Sequence, residues 1–400
     1  MERIDTEISR PSEASGHRPM HIAFILSALG AGGAERVVSL IASHWAARGD
    51  TVTIIAFDAP EDPVYHEFDS RVRFVRLGAA TEKSAGTSAM FRSARRAWQL
   101  RRALRRLNPD RIISFLTKVN VLTLLATIGG ATPVIISERN NLARQGMNGL
   151  WRRLADALYQ RAAVIVMQTE RSIACLPRNA RDRALVIPNP LLRHETKEPE
   201  AGARHLVAVG RLEAQKGFDL LISAFARISD LNPQWTLIIY GEGPERPVLE
   251  EQIRKERVDG RVLLPGLSAA PGGWVEHGSI FVLSSRFEGF PNVLGEAMAA
   301  GLAVIAFDCD FGPRDMISDG VDGILIPDGR VGALADALVR LMRDAPLRDR
   351  LGASAAQSAA RFAPDRIIAR WDAVVVQPWR IRDASRGEAQ PAGLELTSAG

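Results

Sequence analysis

Residues 288–296 read Glu288-Gly289-Phe290-Pro291-Asn292-Val293-Leu294-Gly295-Glu296. Two carboxylates stand eight residues apart, the first in a Gly/Pro loop and the second in the opening turns of a helical stretch, 293–300. Before them, 278–286 (GSIFVLSSR) reads as a buried strand running into a loop, and after them 302–308 (LAVIAFD) reads as another strand. Strand, polar loop, helix, strand puts a ligand at the carboxyl edge of a parallel sheet, with a helix N-terminus facing an anion. One acid can then grip hydroxyl groups while the other is placed elsewhere on the same ligand. A helix cap plus a solvent-facing glutamate is the plainer reading of the same spacing.

The rhythm continues on both sides. In the first half, strands are expected at 21–29 (HIAFILSAL), 51–57, 72–77, 111–115, 133–137 and 163–168, with a short one at 185–188. The second half repeats it at 206–209, 235–240, 262–264, 280–283, 304–307 and 323–326. Strands apolar on both faces, alternating with helical patterns, predict parallel α/β domains. A chain of 400 residues is too long for one ordinary core. The polar segment 189–203 (NPLLRHETKEPEAGA) reads as the linker between two domains. The expected division is a disordered tail 1–19, a first domain 20–195, a second domain 196–361, a closing helix 362–380 and a loose tail 381–400.

Composition narrows the function. The hydrophobic fraction is 46%, and two cysteines, Cys175 and Cys309, offer no disulfide framework. No secretory signal is visible, and the uncharged run 119–137 is broken by Asn120, Gly129-Gly130 and Pro133, so no transmembrane helix is expected. The net charge is +5, but its placement matters more than its size. Residues 91–107 (FRSARRAWQLRRALRRL) form the most charged helical pattern, with Phe91, Ala94, Trp98, Leu104 and Leu107 able to share a face and seven arginines around them. Such a helix either docks on an anionic bilayer surface or packs on the sheet by its apolar stripe with a wet basic face. No aromatic-interleaved strand or nucleic-acid motif accompanies it, and no nucleic-acid partner is expected.

Other loops carry candidate chemistry. Gly30-Ala31-Gly32-Gly33 follows the first strand and lets a backbone approach a phosphate or a sugar; it is also a plain tight turn. It lacks both the GxGxxG and the Walker endings. Arg211 and Lys216, after the first strand of the second domain, can bracket a diphosphate, the one by a planar fork and the other as a point charge. Surface charges on a crossing loop are the alternative. Glu138-Arg139-Asn140-Asn141 follows a first-domain strand and can either meet an acceptor or cap a helix. His21, His44, His66, His194, His205 and His277 show no metal-ligand spacing, and no CxxC, HExxH or GxSxG is present.

Taken together in this order, GAGGAERV (30–37), VGRLEAQKG (209–217), YGEGP (240–244), Pro265-Gly266, SSRFEGFPNVLGE (284–296) and Ala300-Gly301 resemble retaining, nucleotide-sugar-dependent glycosyltransferases of family four. The resemblance covers roughly residues 20–380 and implies the GT-B architecture: two facing Rossmann-like domains with a cleft between them. It implies that Arg211 and Lys216 bind the donor diphosphate, that Glu296 binds the ribose hydroxyls, and that Glu288 contacts the donor sugar. The loop from Gly289 through Phe290, Pro291, Asn292 and Val293, with Gly32 and Gly33, would cradle sugar and phosphates through backbone amides. Tyr240, Gly241 and Gly243, with Pro265 and Gly266, would wall the base. No divalent metal or other cofactor is implied, because two cations can neutralise the leaving group.

Where many members carry a histidine, this chain has the 138–141 quartet, so Glu138, Arg139 and Asn140 are the acceptor-side candidates. Similar Ser-Glu-Arg-Asn sequences occur in members that build bacterial surface polysaccharides and lipid-linked oligosaccharides, often from galactose or N-acetylgalactosamine donors. The implied activity is hexosyl transfer from a UDP-sugar to a polyprenyl-diphosphate-linked or other glycan, in the cytoplasm or at the inner face of the cell membrane. The alternatives are a same-fold enzyme using a free sugar or sugar phosphate, and a non-catalytic nucleotide-sugar-binding module.

Overall fold

In a computed structural model, the described residues are 18–30, 32–78, 89–139, 141–142, 144, 149–191, 204–268, 270 and 272–377. Asn140, most of the polar linker, nearly all of the N-terminal tail and the segment from 378 onward lie outside them.

The first half builds β1 (His21–Leu26), α1 (Gly33–Arg48), β2 (Thr51–Ala56), β3 (Arg73–Arg76) and α2 (Ala89–Leu107). It continues with β4 (Arg111–Phe115), α3 (Thr117–Ala126), β5 (Val134–Ser137), α4 (Gly149–Leu158), β6 (Val164–Met167) and β7 (Ala184–Val186). The second half builds β8 (His205–Val209), α5 (Phe218–Ser229), β9 (Thr236–Tyr240), α6 (Arg246–Lys255) and β10 (Val262–Gly266). After them come β11 (Ile280–Leu283), α7 (Asn292–Ala299), β12 (Ala303–Asp308), α8 (Pro313–Met316) and β13 (Ile324–Pro327). Three helices close the chain, α9 (Val331–Arg343), α10 (Ala345–Ala359) and α11 (Pro364–Val376).

Two parallel sheets result, ordered β3-β2-β1-β4-β5-β6-β7 and β10-β9-β8-β11-β12-β13. The strand order reverses between β1 and β4 in one and between β8 and β11 in the other, and a crevice opens beyond the strand ends at each reversal. Strands such as β1 and β11 are buried along nearly their whole length because helices cover both faces, which is why they are apolar without alternation. This is the two-domain GT-B architecture.

α11 returns to the first sheet. Trp371 is fully buried there, stacked on Phe115 at 5.9 Å, and Asp372 accepts bonds from Trp45 Nε1 and Arg48 Nη1, both at 2.6 Å. The outgoing and returning strands of chain meet where Leu191 N donates to Phe362 O at 2.9 Å.

α2 differs from the expected packing. Phe91 and Trp98 face outward, 62% and 59% exposed, while Leu100 and Leu104 are buried with Ala97, Ala103 and Leu107 packed beside them. The small alanines and slim leucines let α2 lie close to α3, and the bulky aromatics fall on the opposite row with Arg95, Arg102 and Arg105. Among the described residues no helix is long and apolar enough to cross a membrane.

Glu138 is also placed differently from an acceptor contact. Its side chain turns into the first domain, where it accepts from Thr117 Oγ1 and Asn120 Nδ2, both at 2.8 Å, and from the Tyr159 hydroxyl. Burial pushes its carboxyl above the usual range, against the pull of those three donors. Glu138→Ala removes the shared acceptor of three buried hydrogen bonds and should cost about 2–4 kcal/mol in urea unfolding. Glu138→Gln can turn its amide nitrogen to the Thr117 oxygen and should lose less than half as much; equal losses would remove the hydrogen-bond account.

Candidate functional site

The second-domain site is assembled at the β8/β11 reversal. The β8 loop brings Lys216 and the β11 loop brings Glu288, and Lys216 Nζ sits 2.7 Å from Glu288 Oε1. Both side chains are largely buried. A paired, half-dry ammonium at the mouth of a sheet crevice can receive an anion at low desolvation cost, because its own water has already been removed. Arg211, by contrast, is 71% exposed and pairs with Glu213 at 3.0 Å, so Lys216 and Glu288 are brought together and Arg211 stands at the rim.

The loops lock by backbone contact. Gly210 N donates to Tyr240 O, Leu212 N to Glu242 O, Gly241 N to Gly266 O and Arg286 N to Gln215 O. Gly241 has φ 146, and a Cβ there would lie 1.8 Å from Gly210 O. Gly217 has φ 61, and a Cβ there would lie 2.1 Å from Ser284 O. Arg286 completes the clamp, forking onto Asp219 at 2.8 and 2.6 Å and bonding Ala214 O. Tyr240, Gly241, Gly243 and Gly266 are therefore held against the 210–212 turn that leads to Lys216, with Pro265 next to Gly266 in the chain. Gly243 is as tightly held, since a Cβ there would lie 2.4 Å from Leu212 O.

α7 begins at Asn292, directly after Pro291. Phe290 packs into the second-domain core against Phe362, so this stretch offers a ligand its backbone rather than the Phe290 ring. Val293 packs partly against the same core. Gly289 touches the other domain, where an added Cβ would lie 3.0 Å from Arg139 O. Gly33, at the start of α1, faces Asn292 across the cleft, its notional Cβ 3.2 Å from Asn292 Nδ2. The two helix N-termini, α1 with Gly32-Gly33 and α7 with Asn292-Val293, thus converge. Glu35 folds back over Gly32, and burial raises its carboxyl. Glu296 points at the first domain, where Arg36 Nη1 meets its Oε1 at 2.9 Å.

Two residues, Asn189 and Arg36, went unread in the sequence, and a third, Arg139, was read there only as an acceptor-side candidate. Asn189 is a buried hub: its Oδ1 accepts from Arg139 Nη1 and from Gln168 Nε2 (2.9 Å), and its Nδ2 donates to Asn292 Oδ1 at 2.7 Å. Its place between Pro188 and Pro190 marks it as a rigid strut rather than the start of a loose linker. Arg139 is held in the same network. It bonds Ser137 Oγ at 2.8 Å and lies 5.1 Å over the Phe115 ring and 5.7 Å over Trp371, and burial lowers its guanidinium to about 9. It is a joint between domains, its charge spread over two aromatic faces. Arg36 had a signal too, since a cation in the first turn of α1 opposes the helix dipole.

Among the described residues no group of three His, Cys, Asp or Glu is arranged to hold a metal ion. Gly217→Ala should destabilise the protein by about 2 kcal/mol or more, because the new methyl meets the Ser284 carbonyl at a positive φ. The check is a lower unfolding midpoint; an unchanged midpoint would contradict the lock.

The chain matches two family models, "Glycosyl transferase 4-like domain" over residues 32–190 and "Glycosyl transferases group 1" over 203–344. It is 29% identical over 396 residues to an exopolysaccharide phosphotransferase of Streptomyces coelicolor, covering 90% of this chain but only 41% of that protein. It is 27% identical over 360 residues to a Campylobacter jejuni α-1,4-N-acetyl-D-galactosaminyltransferase whose name specifies a diphosphoundecaprenol-linked glycan, covering 88% of this chain and 97% of that one. The solved structure of Anabaena HepE in complex with UDP superposes with a TM-score of 0.73 at 19% identity, over 89% of this chain and 99% of that one. With the two-sheet fold, these matches make the chain a member of the GT-B-fold glycosyltransferases.

Proposed function

We propose that the protein is a retaining hexosyltransferase that moves a sugar from a UDP-sugar to a hydroxyl of a lipid-linked glycan. UDP-galactose, UDP-N-acetylgalactosamine or a relative is the donor. The observation that carries this reading is the Lys216–Glu288 pair at the sheet reversal, with Glu288 in the loop that leads into the N-terminus of α7. In this reading Lys216, with Arg211 swung in from the rim, takes the diphosphate. Glu288 takes the sugar hydroxyls, Glu296 takes the ribose diol, and the loops that hold Tyr240 and Gly266 take the base. The named activity of the Campylobacter relative supports the donor and acceptor class, and the UDP bound to HepE supports the nucleotide. The phosphotransferase name belongs to a protein of which this chain matches under half.

In the step proposed, the bond between the anomeric carbon and the β-phosphate oxygen breaks, and its electron pair leaves with UDP. The acceptor oxygen bonds to the same face of that carbon, and its proton passes to the departing phosphate oxygen. No side-chain base is then required, and the two cations supply the charge a metal would otherwise supply. Closure of the cleft keeps water from the donor. The outward row of α2, with Phe91, Arg95, Trp98, Arg102 and Arg105, fits an anionic bilayer: aromatics insert at the headgroups while arginines meet phosphate.

A panel of UDP- and GDP-sugars, followed by nucleotide release with and without a polyprenyl-diphosphate-linked sugar, tests the reaction. Release from one UDP-sugar, raised by the lipid acceptor and unchanged in EDTA, is expected. Lys216→Ala and Arg211→Ala should each lower it by about 100-fold or more; near-normal turnover in both would end the diphosphate role. Cosedimentation with phosphatidylglycerol vesicles should fall sharply when Arg95, Arg102 and Arg105 are changed together to Glu. Equal pelleting of both proteins would end the membrane role.

A further inference from the structure

Residues 57–72 leave the carboxyl end of β2 and reach β3 without a helix between them. They start at the sheet edge that carries Gly32 and Gly33, and hydrogen bonds pin them there. Leu29 N donates to Asp58 Oδ2 at 2.9 Å, Tyr65 N to Leu29 O at 3.0 Å and Asp69 N to Ser43 Oγ at 2.9 Å. Phe68 packs against the first core and meets Phe74 edge to face. Tyr65 does not: it is 65% exposed, with Val64 exposed beside it and the His66 ring set edge-on to its own at 5.1 Å. A long loop held this firmly, with one aromatic ring left outside the core, is built for contact rather than for packing.

His66 has its hydrogen-bonding polarity set by the backbone. Its Nε2 lies 3.2 Å from Gly32 O, and a carbonyl oxygen only accepts, so Nε2 carries the proton and Nδ1 keeps a lone pair in the neutral ring. Burial holds the imidazole below its usual range, with the Gly32 bond opposing that shift and the Arg36 charge adding to it. At neutral pH the ring is therefore uncharged and Nδ1 is an acceptor. An aromatic face beside a fixed acceptor matches a pyranose, whose C–H face is apolar and slightly positive while its rim carries hydroxyls. The place fits as well. Gly32 precedes Gly33, which faces Asn292 across the cleft, and Glu138 and Arg139 are turned inward and leave this side to other residues.

We propose that Tyr65 and His66 form the sugar-binding subsite for the acceptor: the Tyr65 ring takes the apolar face of a pyranose, and His66 Nδ1 accepts a hydrogen bond from one of its hydroxyls. The proposal rests on the reading of the protein as a transferase that extends a lipid-linked glycan.

Steady-state kinetics with farnesyl-diphosphate-linked N-acetylgalactosamine as acceptor tests this, in the absence of vesicles so that no membrane contact of Tyr65 enters. The donor is the UDP-sugar that the unaltered chain uses. Tyr65→Ala should raise the acceptor KM about 10-fold and leave the donor KM unchanged. Tyr65→Phe keeps the ring face and should stay within about 2-fold of the unaltered chain. His66→Gln can keep an N–H on Gly32 O while removing the Nδ1 lone pair. It should raise the acceptor KM about 3- to 10-fold, again with the donor KM unchanged. An unchanged acceptor KM in Tyr65→Ala or in His66→Gln overturns the subsite and leaves the transferase reading standing. Equal rises in Tyr65→Ala and Tyr65→Phe assign the effect to the hydroxyl and overturn the stacking role. A donor KM that rises with the acceptor KM places the loop in the donor site through Gly32 and overturns the proposal as well. If the unaltered chain transfers nothing to this acceptor from any UDP- or GDP-sugar, the lipid-linked reading falls and the subsite falls with it.

Discussion

Parallel strands cannot be joined by tight turns, and this constraint orders the molecule. Each strand must be followed by a crossover, most often a helix, before the chain returns, so the loops that leave strand carboxyl ends gather on one edge of each sheet. At the β8/β11 reversal the chain departs in opposite directions, and the loops on either side leave a gap that no helix fills. Lys216 and Glu288 meet there although 72 residues separate them. The glycines hold the gap to size: Gly217 and Gly241 let backbone meet backbone where any side chain would collide.

The second constraint is that two such domains must be kept in register without being fused. The chain crosses once near Leu191 and returns near Phe362, and the crossings are hydrogen-bonded to each other. α11 then buries Trp371 in the first core, so the second domain is anchored by a helix from its own far end. Asn189 sits just before the outgoing crossing and binds Arg139 and Gln168 on one side and Asn292 on the other. A buried polar joint of this kind is directional, unlike an apolar contact, because each donor has one acceptor position that satisfies it. It sets where α7 starts relative to the first domain, and hence where the two helix N-termini face each other.

The basic helix α2 shows how composition can mislead about packing. Its aromatics are the largest apolar side chains in the segment, and burying them would remove the most surface from water. The row that is buried instead is alanine and leucine, because close helix approach needs small residues and the gain is spread over many contacts. Phe91 and Trp98 are left on the arginine face.

The sequence by itself determined the strand–helix alternation, the parallel sheets and the strand-end loops that hold Arg211, Lys216, Glu288 and Glu296. Each of these follows from local pattern: apolar runs, glycine at turns, and spacing along one chain segment. It also carried the family, since six short motifs in one order are more specific than any of them alone. Tertiary structure alone decided which charges meet. Lys216 pairs with Glu288 while Arg211 stays with its neighbour Glu213, and Glu296 answers to a residue of the other domain. It also decided that Glu138 and Arg139 turn inward to a core network and a joint, although their position after β5 had offered them as acceptor-side candidates. The physical reason is the range of the forces: backbone propensity and burial act over a few residues and are written in the local sequence. A hydrogen bond or ion pair between distant segments is fixed only once the packed sheets have brought its two ends within about 3 Å.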